Sequence, residues 1–410
     1  MIAFSTKITA LIAVFASFGE SAPHHGPKGS GWNRRPTVGK AVYFITNEAE
    51  NAVVALPIGR DGKLSAGTST KTGGSGGIQI SAMTGQPALS DALVSQSSLT
   101  VVGNYIFAVN AGSNTVTMLA ISHEDPTCLT VVGKPVPVPG EFPTTVAASA
   151  KNKLVCVGIT GAVAGISCAS FSGHGIGKMD EIRPIDLGQS TPPVGPPNTV
   201  SQTFFSLDET RLYTTVKGDP MKNKTGFLSA YEVEHKRRQP STLGTQDVRS
   251  SPNGTMVLFG ADPIPGPKST IFAADASFGA AILSVDKDGK ATTAHMQTLR
   301  GQRATCWTTI SHATKSAFVT DAAVNRIVEM SITDARPIKS LNLTGNGNAG
   351  LIDLKSAGNF LYALSPGNGT IEAQITVVDV SGGQGSLKEA QIFGLAGFAR
   401  NASQGMAVLT

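Results

Sequence analysis

The chain repeats one short pattern seven times, and that repeat limits its fold more than any other feature. Residues 39–65 read GKAVYFITNEAENAVVALPIGRDGKLS. They hold a glycine turn, an apolar run at 41–46, a polar loop with Asn47 and Asn51, a second apolar run at 52–58, and an Asp-Gly turn. Runs of Val, Ile and Tyr bounded by Gly, Asn and Asp read as antiparallel strands joined by tight turns. The pattern returns at 104–122, at 152–171, at 209–218 with 226–233, at 254–262 with 278–286, at 315–332, and at 358–369 with 375–381. Taking Tyr43, Phe107, Val155, Tyr213, Val257, Phe318 and Tyr362 as equivalent points gives seven units, spaced by 44 to 64 residues. Units of this size, each with about four short strands, are the signature of β-propeller blades, and the longer spacings imply inserted loops. One unit cannot bury both faces of its own sheet, so the seven must stack around an axis. The expected fold is all-β: a seven-bladed β-propeller over residues 39–410.

The ends of the chain indicate how the ring closes. Unit one starts directly with the run at 41–46, whereas unit three has TTVAAS (144–149) ahead of the matching run. QGMAVLT at 404–410 has the length and apolar content of the missing strand. Residues 405–409 are therefore expected to form the innermost strand of the first blade, antiparallel to 41–46. Such closure ties the termini together and removes exposed sheet edges.

Ahead of the repeats, residues 1–21 carry Lys7, an apolar core at 8–18 and then small residues. That is the pattern of a secretory signal peptide, and the run falls short of the ~20 residues needed to span a bilayer. Residues 22–38, rich in Pro, Gly and charge, read as a flexible leader. Five N-x-S/T sequons, at Asn223, Asn253, Asn342, Asn368 and Asn401, fit a secreted glycoprotein, extracellular or in the cell wall. Asn223, Asn368 and Asn401 are expected at one mouth of the ring and Asn253 on the opposite face.

Four cysteines suit an oxidising compartment. Cys156 and Cys168 stand symmetrically about Ala162 on the two strands of one hairpin, which puts them opposite each other and within disulfide range. Cys128 and Cys306 fall in different units and are expected as buried free thiols. The net charge of +5 is modest. Its densest cluster, Lys236-Arg237-Arg238, has no aromatic interleaving, so nucleic acid is not an expected partner. A monomer without a transmembrane segment is expected, meeting an extracellular ligand such as a host or cell-wall component.

Propeller ligands sit at the channel mouth lined by the loops that enter the inner strands and the loops between second and third strands. The polar residues placed there are Glu48, Asn110, Glu141, Gln202, Lys217, Asp219, Asp262, Arg303, Asp321 and Arg326. From these, Glu48, Glu141, Gln202, Lys217, Asp262 and Arg303 are the candidate catalytic residues, able to hold a small anion or to place an acid and a base. No HExxH or CxxC spacing occurs, and GGSGG at 73–77, although it has the GxSxG spacing, lacks the Lys-Ser/Thr of a phosphate loop and reads as a flexible connection rather than a nucleophile elbow. No cofactor or metal is expected.

Over nearly all of its mature length the chain resembles the fungal secreted proteins labelled 3-carboxymuconate cyclase-like, within the lactonase superfamily of seven-bladed propellers. The stretches that carry the resemblance include AVYFITNEAENAVVALPIGRDGKL, LVCVGITGAVAGISC, TGFLSAYEVE, DASFGAAILSVD, ATCWTTISHATKSAFVTDAAVNRIVEMS and AGNFLYALSPGNGT. The resemblance implies secretion and a cell-surface role. Lactonase-type members show GPRH-x-x-F-x-P-D-G followed by a strand ending in Asn-Glu. Here the segment is GPPNTVSQTFFSLDETRLYTTVKG (195–218), so the Arg-His falls on Ser201-Gln202 and the Glu on Lys217. Gln cannot exchange protons near neutral pH, and Lys has the opposite charge. Two functions stay open: a surface binding or adhesion protein, favoured by the missing His and Glu, and a metal-independent cyclase or lactonase with a rearranged site.

Overall fold

Seven antiparallel sheets stand around one axis in the computed structural model, which describes residues 39–235 and 240–410. Residues 1–21 and 22–38, read from the sequence as a signal peptide and a leader, and the Lys236-Arg237-Arg238 cluster lie outside the described residues. From blade one to blade seven the inner strands are Gln404–Leu409, Leu99–Val102, Pro143–Ser149, Val200–Phe205, Leu258–Pro263, Thr305–Ser311 and Ile352–Ala357. The second strands are Ala41–Ile45, Tyr105–Asn110, Leu154–Ile159, Arg211–Val216, Thr270–Asp275, Ser316–Asp321 and Phe360–Ser365. Blades two and three split their outermost position between two short strands; the other five blades are four-stranded.

The ring closes as the sequence suggests. Gln404–Leu409 pairs antiparallel with Ala41–Ile45, placing Ala41 opposite Leu409, Val42 opposite Val408 and Tyr43 opposite Ala407. A bulge follows at Gly405, whose φ of 69° belongs to the left-handed region that favours glycine.

Unit five departs from the sequence reading by one strand. The run at 254–262 was expected as a second strand, but Leu258–Pro263 is the inner one, and Thr270–Asp275 is the second. Both are short apolar runs, and Pro263, Pro265 and Pro267 break the chain between them. The equivalent point therefore moves from Val257 to Phe272.

The core lies between neighbouring blades. Tyr43, Phe107, Tyr213, Phe272, Phe318 and Tyr362 are all buried, each packed with apolar residues of the next blade. Burial of each such ring stabilises by about 2–3 kcal/mol. Two of the phenols also find acceptors: Tyr43 donates to the Pro126 carbonyl at 2.7 Å and Tyr362 to that of Gly62 at 2.8 Å. In blade three Cys156 takes this place and faces Leu212 and Tyr231 of blade four, while Val155 faces back toward Phe107. Cys156 stands directly opposite Cys168 and is bonded to it.

The long spacing between units one and two has a structural cause. The connection at residues 72–98 crosses the mouth, where Ile80–Ser81 pairs in parallel with Val194–Gly195 from the blade three to four connection. It then enters the axial channel. Ser95, Gln96 and Ser98 are fully buried there. The Gln96 amide donates to the Thr308 carbonyl at 2.7 Å and accepts the Thr308 N–H at 3.0 Å. The Gln96 N–H donates to the Ser201 carbonyl, the Ser95 hydroxyl to Thr144, and the Val146 N–H to the Ser97 carbonyl. The Trp307 indole donates to the Ser95 carbonyl at 3.0 Å. A polar strand is thus tolerated in the interior because its groups are paired with backbone from blades three, four and six. A Cβ on Gly260 would collide with the pinned Gln96 side-chain oxygen and crowd the Cys306 carbonyl at 2.9 Å, so glycine suits the point where the segment passes blade five. Val94 and Ser97 hold left-handed φ values of 46° and 64°, a strain of about 1–3 kcal/mol each that this surrounding network must outweigh.

Candidate functional site

Where this segment turns down into the channel, one side of the mouth stays open. Between it and blades four to seven lies a cavity of about 380 Å³. Asp91 and Val94 of the threaded segment form one side; Lys217, Phe259, Cys306 and Trp307 line the other, with the exposed Arg303 among the lining residues. Trp307, Phe259, Val257, Ile352 and several alanines make the walls mainly apolar. Such a shape, apolar with a few convergent polar groups, suits a small ligand.

Lys217 follows the second strand of blade four, and its N–H donates to the Thr199 carbonyl at 3.0 Å, which aims the side chain inward. Its Nζ donates to the Val94 carbonyl at 2.7 Å and to Ser201 Oγ at 3.0 Å, and stands 4.2 Å from the centre of the Phe259 ring. Phe259 in turn packs on Trp307 at 4.9 Å. The side chain is 1% exposed. Burial pulls the Lys217 ammonium well below its ordinary range, against the opposing charge of Asp91. Asp91 ends a short 3-10 turn, Leu89–Asp91, and its Oδ1 accepts the Val94 N–H at 3.2 Å. Burial raises its carboxyl, with the Lys217 charge and that N–H opposing. Burial thus draws the two groups' proton affinities toward each other. Burial also pushes the Cys306 thiol up, which keeps it protonated.

No protein-family model and no curated protein matches the chain. Solved structures match its fold. The periplasmic gluconolactonase of Pseudomonas aeruginosa superposes with a TM-score of 0.65, at 12% identity, over 90% of this chain and 99% of that one. A 6-phosphogluconolactonase candidate from Bacteroides fragilis gives 0.60 at 11% identity, over 91% and 98% of the two chains. A hypothetical selenium-binding protein from Sulfolobus tokodaii gives 0.60 at 10% identity, over 92% and 94%. These neighbours include lactonase-like seven-bladed propellers, and at such identities the likeness establishes the fold.

Of the six catalytic candidates read from the sequence, the fold brings Lys217 and Arg303 to this cavity. Gln202 lies on the channel wall instead, accepting the Ala261 N–H at 2.6 Å and donating to Ser97 Oγ at 3.5 Å. It braces the threaded segment. Glu48 and Glu141 share the face but sit over blades one and three; Glu141 accepts the Thr191 hydroxyl, and Glu48 borders a separate cleft with Arg400. Asp262 is a correction. Because Leu258–Pro263 is an inner strand, Asp262 lies toward its far end, at the opposite mouth, where it accepts the Ile310 N–H at 3.0 Å.

The remaining residues of the expected ring serve the backbone. Asp321 accepts the N–H groups of Arg303 and Ala304 and pairs with Arg326 at 2.9 Å. Asp275 does the same for Met256 and Val257 in blade five. Asp219 caps the short helix Pro220–Lys222, and the Asn110 amide ties Asn51 and Thr72 to Thr115 and Thr117. A polar residue closing the second strand thus satisfies donors that the neighbouring loops leave unpaired. Sequence reasoning did not find Asp91, Trp307 or Phe259; the only signal was the long spacing between units one and two. Cys306 is buried as expected, but Cys128 is exposed, in a turn beyond the third strand of blade two.

Asn223 and Asn368 lie in loops between second and third strands, Asn401 enters the last strand, and Asn342 ends an outer strand. Asn253 precedes the inner strand of blade five, so it joins them on the cavity face rather than the opposite one. Asn223, Asn253, Asn342 and Asn368 are exposed and Asn401 is half-buried.

Proposed function

We propose that this protein is a secreted enzyme that opens or closes a small anionic lactone or muconate-type acid in the cavity beside the threaded segment. The observation that carries the reading is the convergence of Asp91 and Lys217 on one mainly apolar cavity. Arg303 would hold a substrate carboxylate, and the Lys217 ammonium would polarise the lactone carbonyl. In opening, the Asp91 carboxylate takes a proton from the attacking water and then returns it to the departing ring oxygen. The apolar walls keep bulk water from weakening these interactions. The lactonase names among the fold's neighbours support the same class. In this chemistry Asp91 of the threaded segment and Lys217 stand in for the His and Glu of the lactonase-type pattern, which fall on Gln202 and Lys217 here.

The test uses the purified full-length protein, five- and six-membered lactones bearing a carboxylate, and 3-carboxymuconate. Turnover is expected near neutral pH, and Asp91→Asn is expected to lower kcat by about 10²- to 10⁴-fold. Binding can be followed by Trp307 fluorescence in a Trp32→Phe background, since the chain has 2 tryptophans. Absence of both turnover and saturable quenching with all of these compounds would reject the reading.

A second reading, surface binding or adhesion to a host or cell-wall component, is favoured by the five acceptor asparagines gathered on one face. It requires them to carry glycan in protein secreted by a eukaryotic host and the protein to stay with the cell wall. Unmodified protein released to the medium would reject it.

A further inference from the structure

We infer that Lys217 is a covalent amine that captures small carbonyl acids, 2-oxo acids or aldehyde acids, as an imine inside the cavity. This deepens the reading above in that it rests on the same cavity, but it assigns a second chemistry to it. Four features of the geometry carry it. The Lys217 side chain borders the cavity yet is 1% exposed, so its amine meets only what enters there. Two of its N–H groups are held by the Val94 carbonyl and Ser201 Oγ, which fixes the direction of the nitrogen. Phe259 and Trp307 exclude water around it. Asp91 borders the same cavity as a proton carrier, and Arg303 supplies a cation for a carboxylate.

The charged and titratable groups acting on Lys217 are Asp91 and Cys306, and Cys306 is in turn influenced by Asp275 and Asp321. Both favour the charged amine, but burial outweighs them and leaves a larger neutral fraction than a solvated lysine has. The reaction balances without an oxidant or reductant. The Nζ lone pair attacks the carbonyl carbon, the C=O π pair moves to oxygen, and that oxygen takes a proton from the Asp91 carboxyl. The nitrogen returns its proton to the Asp91 carboxylate. Asp91 then protonates the carbinolamine hydroxyl, which leaves as water while the nitrogen lone pair forms C=N.

The experiment incubates the full-length protein at pH 7 with glyoxylate and sodium cyanoborohydride, which reduces any imine to a stable amine, and maps the product by peptide mass spectrometry. One carboxymethyl group is expected on Lys217, arriving at least tenfold faster than on the solvated Lys222 and Lys224, because a free lysine near pKa 10.4 is almost wholly protonated at this pH. Asp91→Asn should slow labelling of Lys217 while leaving the surface lysines unchanged, a readout that does not depend on lactone turnover. Labelling of Lys217 no faster than that of Lys222, or none, overturns the inference and leaves the lactone reading standing. Failure of lactone turnover with intact trapping rejects that earlier reading and supports this one.

Discussion

The side-chain amide of Gln96 and the backbone of Thr308 form a two-way pair, donor to carbonyl at 2.7 Å and N–H to acceptor at 3.0 Å, so the segment in the channel docks on blade six much as a strand would. These groups come from positions 212 residues apart and are buried. Gln96 also uses its own N–H on blade four. One residue thus spans the channel.

Gln96→Ala is therefore expected to destabilise the protein by about 2–4 kcal/mol, since it leaves both backbone groups of Thr308 buried and unpaired. Urea denaturation of the two proteins measures this. A loss below about 0.5 kcal/mol would show that the channel segment contributes little to the ring.

Lys217→Met should raise the Asp91 carboxyl further, because the lysine charge is the first influence that lowers it. Carbon-13 NMR titration of the aspartates reads the change directly, with an expected upward shift of about one unit or more. An unchanged Asp91 titration would mean that the two groups do not share a proton.

Asp353 gives a separate pH dependence. It is fully buried, at a left-handed φ of 56°, and its carboxylate accepts the Ser97 and Leu354 N–H groups. Burial raises its carboxyl to about 6, with Lys355 opposing. A raised carboxyl means the native state binds the proton more tightly than the unfolded chain, so this contribution is present below about pH 4 and is lost as pH rises to about 6. Asp353→Asn keeps the shape and tolerates the left-handed backbone. Relative to that variant, the wild type should lose about 3 kcal/mol between pH 4 and pH 7. Parallel denaturation curves for the two proteins would exclude Asp353 as the source.

Deleting residues 405–410 should open the ring, since it strips the inner partner from Ala41–Ile45 and removes the buried Met406 and Ala407. The expected cost exceeds about 4 kcal/mol, well beyond that of a frayed tail, and is read as a fall in Tm. Met406→Ala tests the same contact more gently, at about 2–4 kcal/mol. A truncated protein that melts with the full-length chain would contradict the closure.

The blade count, the closing strand and the Cys156–Cys168 bond were legible in the residues alone. Each depends on period-two patterning and on neighbours a hairpin apart, or on a terminal strand matched in length to a visible vacancy, and both are local properties of the chain. Unit five was misassigned because Leu258–Pro263 and Thr270–Asp275 are equally apolar; which faces the channel depends on the neighbouring blades. That one-strand shift carried Asp262 to the far mouth and Asn253 to the near one. The site, by contrast, emerges from the packing of distant segments. Residues 91–98 read as an ordinary polar loop, because Ser95, Gln96 and Ser98 have the composition of a solvated surface. Their burial becomes tolerable only when backbone groups from blades three, four and six converge on them, and no spacing in the sequence encodes that convergence. Asp91 reaches Lys217 by the same route.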